Sequence, residues 1–112
     1  MPEQGDILLV PIPFTDLSSQ KRRPVIVISN NSYNKKTADV VVVAMTSNPV
    51  ELEYSFTVSA DDLETGALNH PGKVRVDKIY TISTAIVVKT FGRVKEEVLE
   101  TIRKELQALT AK

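Results

Sequence analysis

Lys21-Arg22-Arg23-Pro24-Val25-Ile26-Val27-Ile28-Ser29 sets three cations directly against a proline and then four consecutive β-branched residues. Branching at Cβ crowds the preceding turn of a helix and packs well on a pleated surface, so residues 24–29 predict a strand. A strand this apolar belongs in a core. Its first residues then leave a basic, loop-bounded end beside a rigid scaffold, where binding and catalytic groups tend to sit.

On the N-terminal side, residues 7–13 are also apolar and β-branched. Pro11 and Pro13 each lack an N–H, which suits an edge strand or a strand end, so this first strand is expected to lie exposed along one side. Residues 14–20 are polar and turn-rich. On the other side, Asn30, Asn31, Ser32 and Asn34 favour side-chain hydrogen bonds to nearby backbone, so residues 30–39 read as a loop or a short helical turn. Residues 40–46 form a continuous apolar run, as expected of a third strand covered on both faces at the centre of a sheet.

Residues 54–58 alternate with period two and put Tyr54, Phe56 and Val58 on one face. Residues 60–65 read as a brief helical turn stopped by Gly66. Residues 73–80 alternate again, with Val74 and Val76 facing the core and Lys73, Arg75 and Asp77 pointing away from it together. A last strand is expected over residues 85–91, broken by Gly92. From residue 94 onward, Val94, Val98, Leu99, Ile102, Leu106 and Leu109 follow helical spacing, which predicts one amphipathic C-terminal helix packed on the sheet. Five or six short strands, turn-sized connections and one late helix predict a mainly β protein, a small bent antiparallel sheet or partly open barrel, not βαβ units.

A chain of 112 residues, 42% of them hydrophobic, can bury a core without disulfides or metal, and predicts one domain over residues 1–112. With no cysteine there is no thiol nucleophile, iron–sulfur cluster or thiolate zinc site, in keeping with a reducing compartment. The longest near-apolar run falls far short of the roughly 20 residues that span a bilayer, and no basic segment followed by an apolar one opens the chain. A cytoplasmic location is the expectation. Fourteen cations balance fourteen anions, so any contact with nucleic acid must come from a local patch.

The sequence holds no G-x-x-x-x-G-K-[ST] loop, no H-E-x-x-H pair and no G-x-S-x-G elbow, which leaves ATPase, zinc-protease and α/β-hydrolase readings without support. The one histidine, His70, lies in the turn sequence Asn69-His70-Pro71-Gly72 and cannot build a His-based metal site alone. A structural or solvent-exposed role is the first reading of it, a general acid the lesser one.

Arg23, ahead of Pro24, is biased to extended backbone at the strand entrance and can offer two parallel N–H donors to a phosphate. The plainer alternative is a gatekeeper cation that guards a sticky strand. Thr46-Ser47 puts hydroxyls where an apolar strand meets a polar loop, a place such residues also fill merely to end a strand. Arg75 and Asp77, two apart, leave one face side by side. As a surface ion pair they are worth about 0–1 kcal/mol. The sharper reading is chemical: RNA is cut when one group takes the 2′-hydroxyl proton, another protonates the leaving 5′-oxygen and a cation steadies the phosphorane. That requires Arg23, Thr46, Arg75 and Asp77 to converge in space.

Gly5-Asp6-Ile7, Pro13-Phe14-Thr15-Asp16-Leu17, Arg23-Pro24-Val25-Ile26-Val27-Ile28-Ser29, Thr46-Ser47 and Val76-Asp77-Lys78-Ile79, in this order and spacing, resemble the MazF/PemK toxin endoribonucleases of type II toxin–antitoxin modules. The resemblance runs from about Gly5 into the C-terminal helix. It implies an SH3-like barrel of the PemK/CcdB type, a homodimer, and metal-independent, cofactor-free, sequence-specific cleavage of single-stranded mRNA to 2′,3′-cyclic phosphate and 5′-hydroxyl ends. It also implies a cognate antitoxin that blocks the groove and an edge strand that suits such a partner. The family's catalytic pair maps onto Arg23 and Thr46, and a subgroup's acid–base R-x-D onto Arg75 and Asp77. RNA binding is expected of Phe14, Thr15, Lys21, Arg22, Ser47 and Lys78. Two departures stand out: Gly72 replaces a frequent serine, and residues 14–20 lack the subgroup's histidine. The alternatives are a CcdB-like gyrase poison, although this chain has no tryptophan of the kind that family uses, and a non-catalytic SH3-like RNA-binding module.

Overall fold

Seven strands and two helices follow one another in a computed structural model that describes residues 1–12, 21–48 and 51–112. They are β1 (Asp6–Pro11), β2 (Arg22–Val27), α1 (Asn31–Lys36), β3 (Asp39–Thr46), β4 (Ser55–Val58), β5 (Leu63–Gly66), β6 (Gly72–Ser83), β7 (Lys89–Val94) and α2 (Glu96–Thr110). The strands form one antiparallel sheet in the order β4-β6-β3-β2-β1-β7-β5, curled into a half-barrel with α2 against it.

The apolar runs of β1, β2 and β3 are continuous because both sides of the sheet are covered. Ile7, Ile26, Val43 and Met45 join Val74, Val76, Val98, Leu99 and Ile102 in one cluster, which includes the buried face of α2. Alternate residues, Leu8, Val10, Val25, Val27, Val40, Val42 and Ala44, join Ile82 in a second cluster on the opposite face. The helical turn expected after β2 is α1: Asn30 caps it by accepting the Tyr33 N–H at 2.8 Å, and buried Asn34 donates to the Ser29 carbonyl at 3.1 Å.

Four expectations change. First, β1 is not an edge strand, since β2 and β7 pair with it from both sides, and the edges are β4 and β5. Pro11 is tolerated because β7 pairs only with residues 6–9, so the missing N–H falls beyond that ladder. Pro13 lies outside the described residues. Second, β2 rather than β3 is the middle strand, with β3 beside it. Third, the turn after β4 is only a 3₁₀ turn at Ala60–Asp62, and Leu63–Gly66 continues as a strand against β7. Fourth, Gly92 does not break the last strand but sits within β7, while Ala85 and Ile86 belong to a 3₁₀ turn before it.

Gly66 and Gly92 are paired, and a Cβ on Gly92 would come within 2.2 Å of the Thr65 carbonyl oxygen. What reads in sequence as two stop signals is one close backbone approach between strands distant in the chain.

The feature that shapes the site is a bulge in β6. Val43 lies opposite Ile79 while the next residue of β3, Ala44, lies opposite Arg75, so Val76, Asp77 and Lys78 face no residue of β3. The Val76 N–H donates instead to the Tyr54 carbonyl at 3.0 Å, from a residue in left-handed backbone at φ 58°. The bulge also reverses the alternation. Val74 and Val76 enter the cluster beneath α2, whereas Tyr80 and Ile82, also even-numbered, enter the opposite one.

Candidate active site

Arg23 stands opposite Val10 of β1, on the same face of β2 as Val25 and Val27. Continuing the β2–β3 register two residues past the Val25–Ala44 pair sets Arg23 across from Thr46. Thr46 in turn lies opposite Lys73 of β6, and one rung further in, Ala44 lies opposite Arg75. Side chains directly opposite share a face, so Arg23, Thr46, Lys73 and Arg75 project on one side of the sheet, with Asp77 brought to them by the bulge. The four residues whose convergence the chemistry requires therefore share one face.

Arg75 grips Asp77 as a fork: Nε donates to Oδ1 at 2.9 Å and Nη2 to Oδ2 at 2.8 Å. The hydrogen bond from Arg75 holds the Asp77 carboxyl below the usual carboxylate range, against the desolvation that would raise it. Asp77 is thus an anion and a proton acceptor at neutral pH. The same bond raises Arg75 above its ordinary value. Tyr80, next on this face beyond the bulge, has its phenol pushed up by burial, while the charges of Arg23 and Arg75 pull it down and Asp77 pushes it up. One tyrosine senses three of the four residues.

Thr46 also fills the plainer role, because its Oγ1 accepts the Asn48 N–H at 3.2 Å and closes the turn that ends β3. Accepting that bond leaves the hydroxyl proton available to a ligand. Arg23 and Thr46 line a cleft of about 180 Å³ at the ends of β2 and β3, together with Lys21, Arg22, Ser47 and His70. Arg75 and Asp77 share that face of the sheet but do not line the cleft. Lys78 is half-buried in the bulge, and its charge helps to lower Asp77. Phe14 and Thr15 lie outside the described residues. His70 is exposed, as its turn sequence suggests, and is also a wall of the cleft. A serine in place of Gly72 would bring its Cβ to 2.7 Å from the Met45 methyl, so the glycine goes with a methionine at the cleft floor.

Sequence reasoning put Lys73 on the polar, outward set but not in the site, and it did not single out Tyr80. Lys73 is in fact buried. Its position between Arg75 and the loop end of β6 was readable, whereas its alignment with Thr46 and the approach of Tyr80 depend on the bulge. Among the described residues, no three His, Cys, Asp or Glu side chains gather to hold a metal, and no helix is long and apolar enough to cross a membrane.

The same half-barrel occurs in solved toxins. An endoribonuclease from a mycobacterial species, in complex with its cognate antitoxin, matches with a TM-score of 0.78 at 22% identity, over 96% of this chain and 93% of that one. Another mycobacterial endoribonuclease matches at 0.73 and 25% identity, over 96% and 88% of the two chains. A MazE-MazF structure from Deinococcus radiodurans matches at 0.77 and 22% identity, over 96% and 94%. No curated protein matches the chain. These likenesses define the class, a MazF-like half-barrel. The family follows from the sequence model: residues 3–110 match the PemK-like, MazF-like toxins of type II toxin–antitoxin systems, and the chain belongs to that family.

Proposed function

We propose that this chain is an endoribonuclease toxin that cuts single-stranded mRNA at a short sequence, without metal, and is neutralised by a cognate antitoxin. It acts in the cytoplasm as a homodimer. The observation that carries this reading is one face of the sheet bearing Arg23, Thr46, Arg75 and Asp77 together.

Asp77, ionised in its Arg75 fork, takes the proton of the attacking 2′-hydroxyl. A carboxyl held low is a weak base, so its contribution comes from position, with the 2′-oxygen placed in line with the scissile bond. Arg23 and Arg75 offer charged N–H donors to the phosphorane as its charge builds. The Thr46 hydroxyl and Arg23 donate hydrogen bonds to the leaving 5′-oxygen, which takes its proton from water as the P–O bond breaks, and the products carry 2′,3′-cyclic phosphate and 5′-hydroxyl ends. Lys21, Arg22 and Ser47 at the cleft, with Lys78, hold flanking phosphates, and unpaired bases read by Phe14 and Thr15 set the sequence.

The test is incubation of purified protein with single-stranded RNA in excess EDTA, followed by analysis of the ends. Wild type cleaves, and Arg23→Ala keeps its circular dichroism spectrum while losing about 100-fold or more in rate, as when a transition-state donor is removed. Undiminished cleavage by that variant overturns the site. Gyrase-dependent DNA breaks with no RNA cleavage would replace the function with gyrase poisoning.

A further inference from the structure

The Lys73 side chain is 8% exposed, yet Glu51, with which it forms an ion pair, is 95% exposed. The Nζ to Oε1 distance is 3.3 Å. Lys73 is opposite Thr46 on one side and Thr57 on the other, and Arg75 follows two residues along β6 on the same face. Lys73 therefore continues across the sheet the row of positions that holds Arg23 and Thr46.

The two partners are unequal in what they give up on separation. Lys73 is held by its buried stem, and withdrawing it would empty packed volume. Glu51 is fixed by little, because nearly all of its side chain is in water, and an ion pair with so exposed a partner is weak. Glu51 thus rests its carboxylate on a buried ammonium whose strand position lies opposite Thr46 and two residues from Arg75, on the face proposed to meet RNA phosphate.

From this asymmetry we infer that Lys73 is a further phosphate-binding residue of the site, and that Glu51 is a resident anion that holds its place until RNA displaces it. The inference rests on the reading of the protein as an endoribonuclease. Glu51 competes with the substrate, so RNA affinity is lower than the cations alone would give. Lys73 is a phosphate ligand common to any target sequence, since a lysine ammonium reads charge and not base identity.

The two roles open to Lys73 predict opposite signs for one exposed substitution. If the Lys73–Glu51 pair serves only structure, Glu51→Gln leaves RNA binding unchanged or weakens it. If Glu51 competes with phosphate, Glu51→Gln binds tighter, by about 2–5-fold, the scale of a surface ion pair set against a ligand.

The experiment measures binding of a fully 2′-O-methylated oligonucleotide, which cannot be cut, and cleavage of the matching transcript, across a salt series. Glu51→Gln is expected to lower Kd and KM with little change in kcat. Lys73→Met, which keeps the apolar stem, is expected to raise both by about 10-fold and to reduce the slope of log K against log salt by about 0.7, the value for one phosphate contact to a single strand. Lys73→Arg restores most of the loss, and Glu51→Gln has no effect in the Lys73→Met background. Equal or weaker binding by Glu51→Gln overturns the inference, as does an unaltered salt slope in Lys73→Met. Should Lys73→Met fail to fold, Glu51→Gln decides alone. Wild-type protein that cuts no RNA instead overturns the endoribonuclease reading, and this inference with it.

Discussion

Two arginines in this protein each hold carboxylate at nearly the same distances, and the proposed function gives them different work. Arg93 donates from Nε to Asp6 at 2.9 Å and from Nη2 to Glu3 at 2.8 Å, joining residues 87 and 90 positions apart. Asp6 is buried, and its second oxygen accepts the Glu3 N–H at 2.9 Å. Arg75 makes a fork of the same lengths to Asp77, two residues away on its own strand. The first cluster ties the start of β1 to β7 and spends its donors on structure. The second closes no loop and leaves a guanidinium and a carboxylate fixed beside Arg23 and Thr46. What separates a clamp from a site here is not the ion pair but the length of chain it joins and what lies next to it.

The largest effect that could break this comparison is on activity at Arg75. Arg75→Ala is expected to lower the RNA cleavage rate by about 100-fold, roughly 2.7 kcal/mol of transition-state stabilisation, while moving Tm by no more than a degree or two. Single-turnover cleavage and a thermal melt on the same preparation measure both. A large fall in Tm with cleavage intact would put Arg75 with Arg93, among the clamps.

The reverse pattern is expected at the other cluster. Asp6→Ala deprives Arg93 and the Glu3 N–H of an acceptor in a buried place, at a cost of about 1–3 kcal/mol, and Tm falls by several degrees. The rate per folded molecule at low temperature stays within about twofold of wild type, since nothing on the Arg23 face has changed. A matching loss of rate in fully folded protein would join the two clusters energetically and end the distinction.

How much of this could be read in the chain follows from what each feature depends on. The strands at residues 24–29 and 40–46 and the C-terminal helix were legible because β-branched runs and 3.6-residue spacing are local signals. The place of β1 was not: Pro11 argued for an edge, and only the pairing with β7, which ends at Leu9, shows that the proline costs nothing there. β5 was hidden for a similar reason, since Gly66 reads as a stop until it is set against Gly92. In the site, Arg23, Thr46, Arg75 and Asp77 were each visible as residue types at telling positions. Their assembly was not, because it rests on a bulge at residues 76–78 that is set by the tertiary pairing of β6 with β3. Lys73, read only as one of the outward polar residues, and Tyr80 were left out of the site on the same account.

The smallest expected effect concerns acid, and it sharpens what the Arg75 fork is for. The pKa of Asp77 is lower in the folded protein than its unfolded value of about 3.9. A depressed carboxyl adds stability that is complete above the unfolded pKa and is lost as pH falls through the folded one. The contribution is therefore flat from pH 5 to 8 and disappears only below about pH 4. At 32% side-chain exposure for Asp77, solvent screening keeps it small. Melts of wild type and Asp77→Asn should run parallel from pH 5 to 8, separated by about 0–1 kcal/mol, and converge in stronger acid. Activity should separate far more than stability does over that same range, because Asn cannot accept the 2′-hydroxyl proton. Curves that diverge between pH 5 and 8 would mean that Asp77 titrates there and is not held as an anion by Arg75. Equal activity in the variant would leave the fork as a small surface pair, with no more function than its stability contribution.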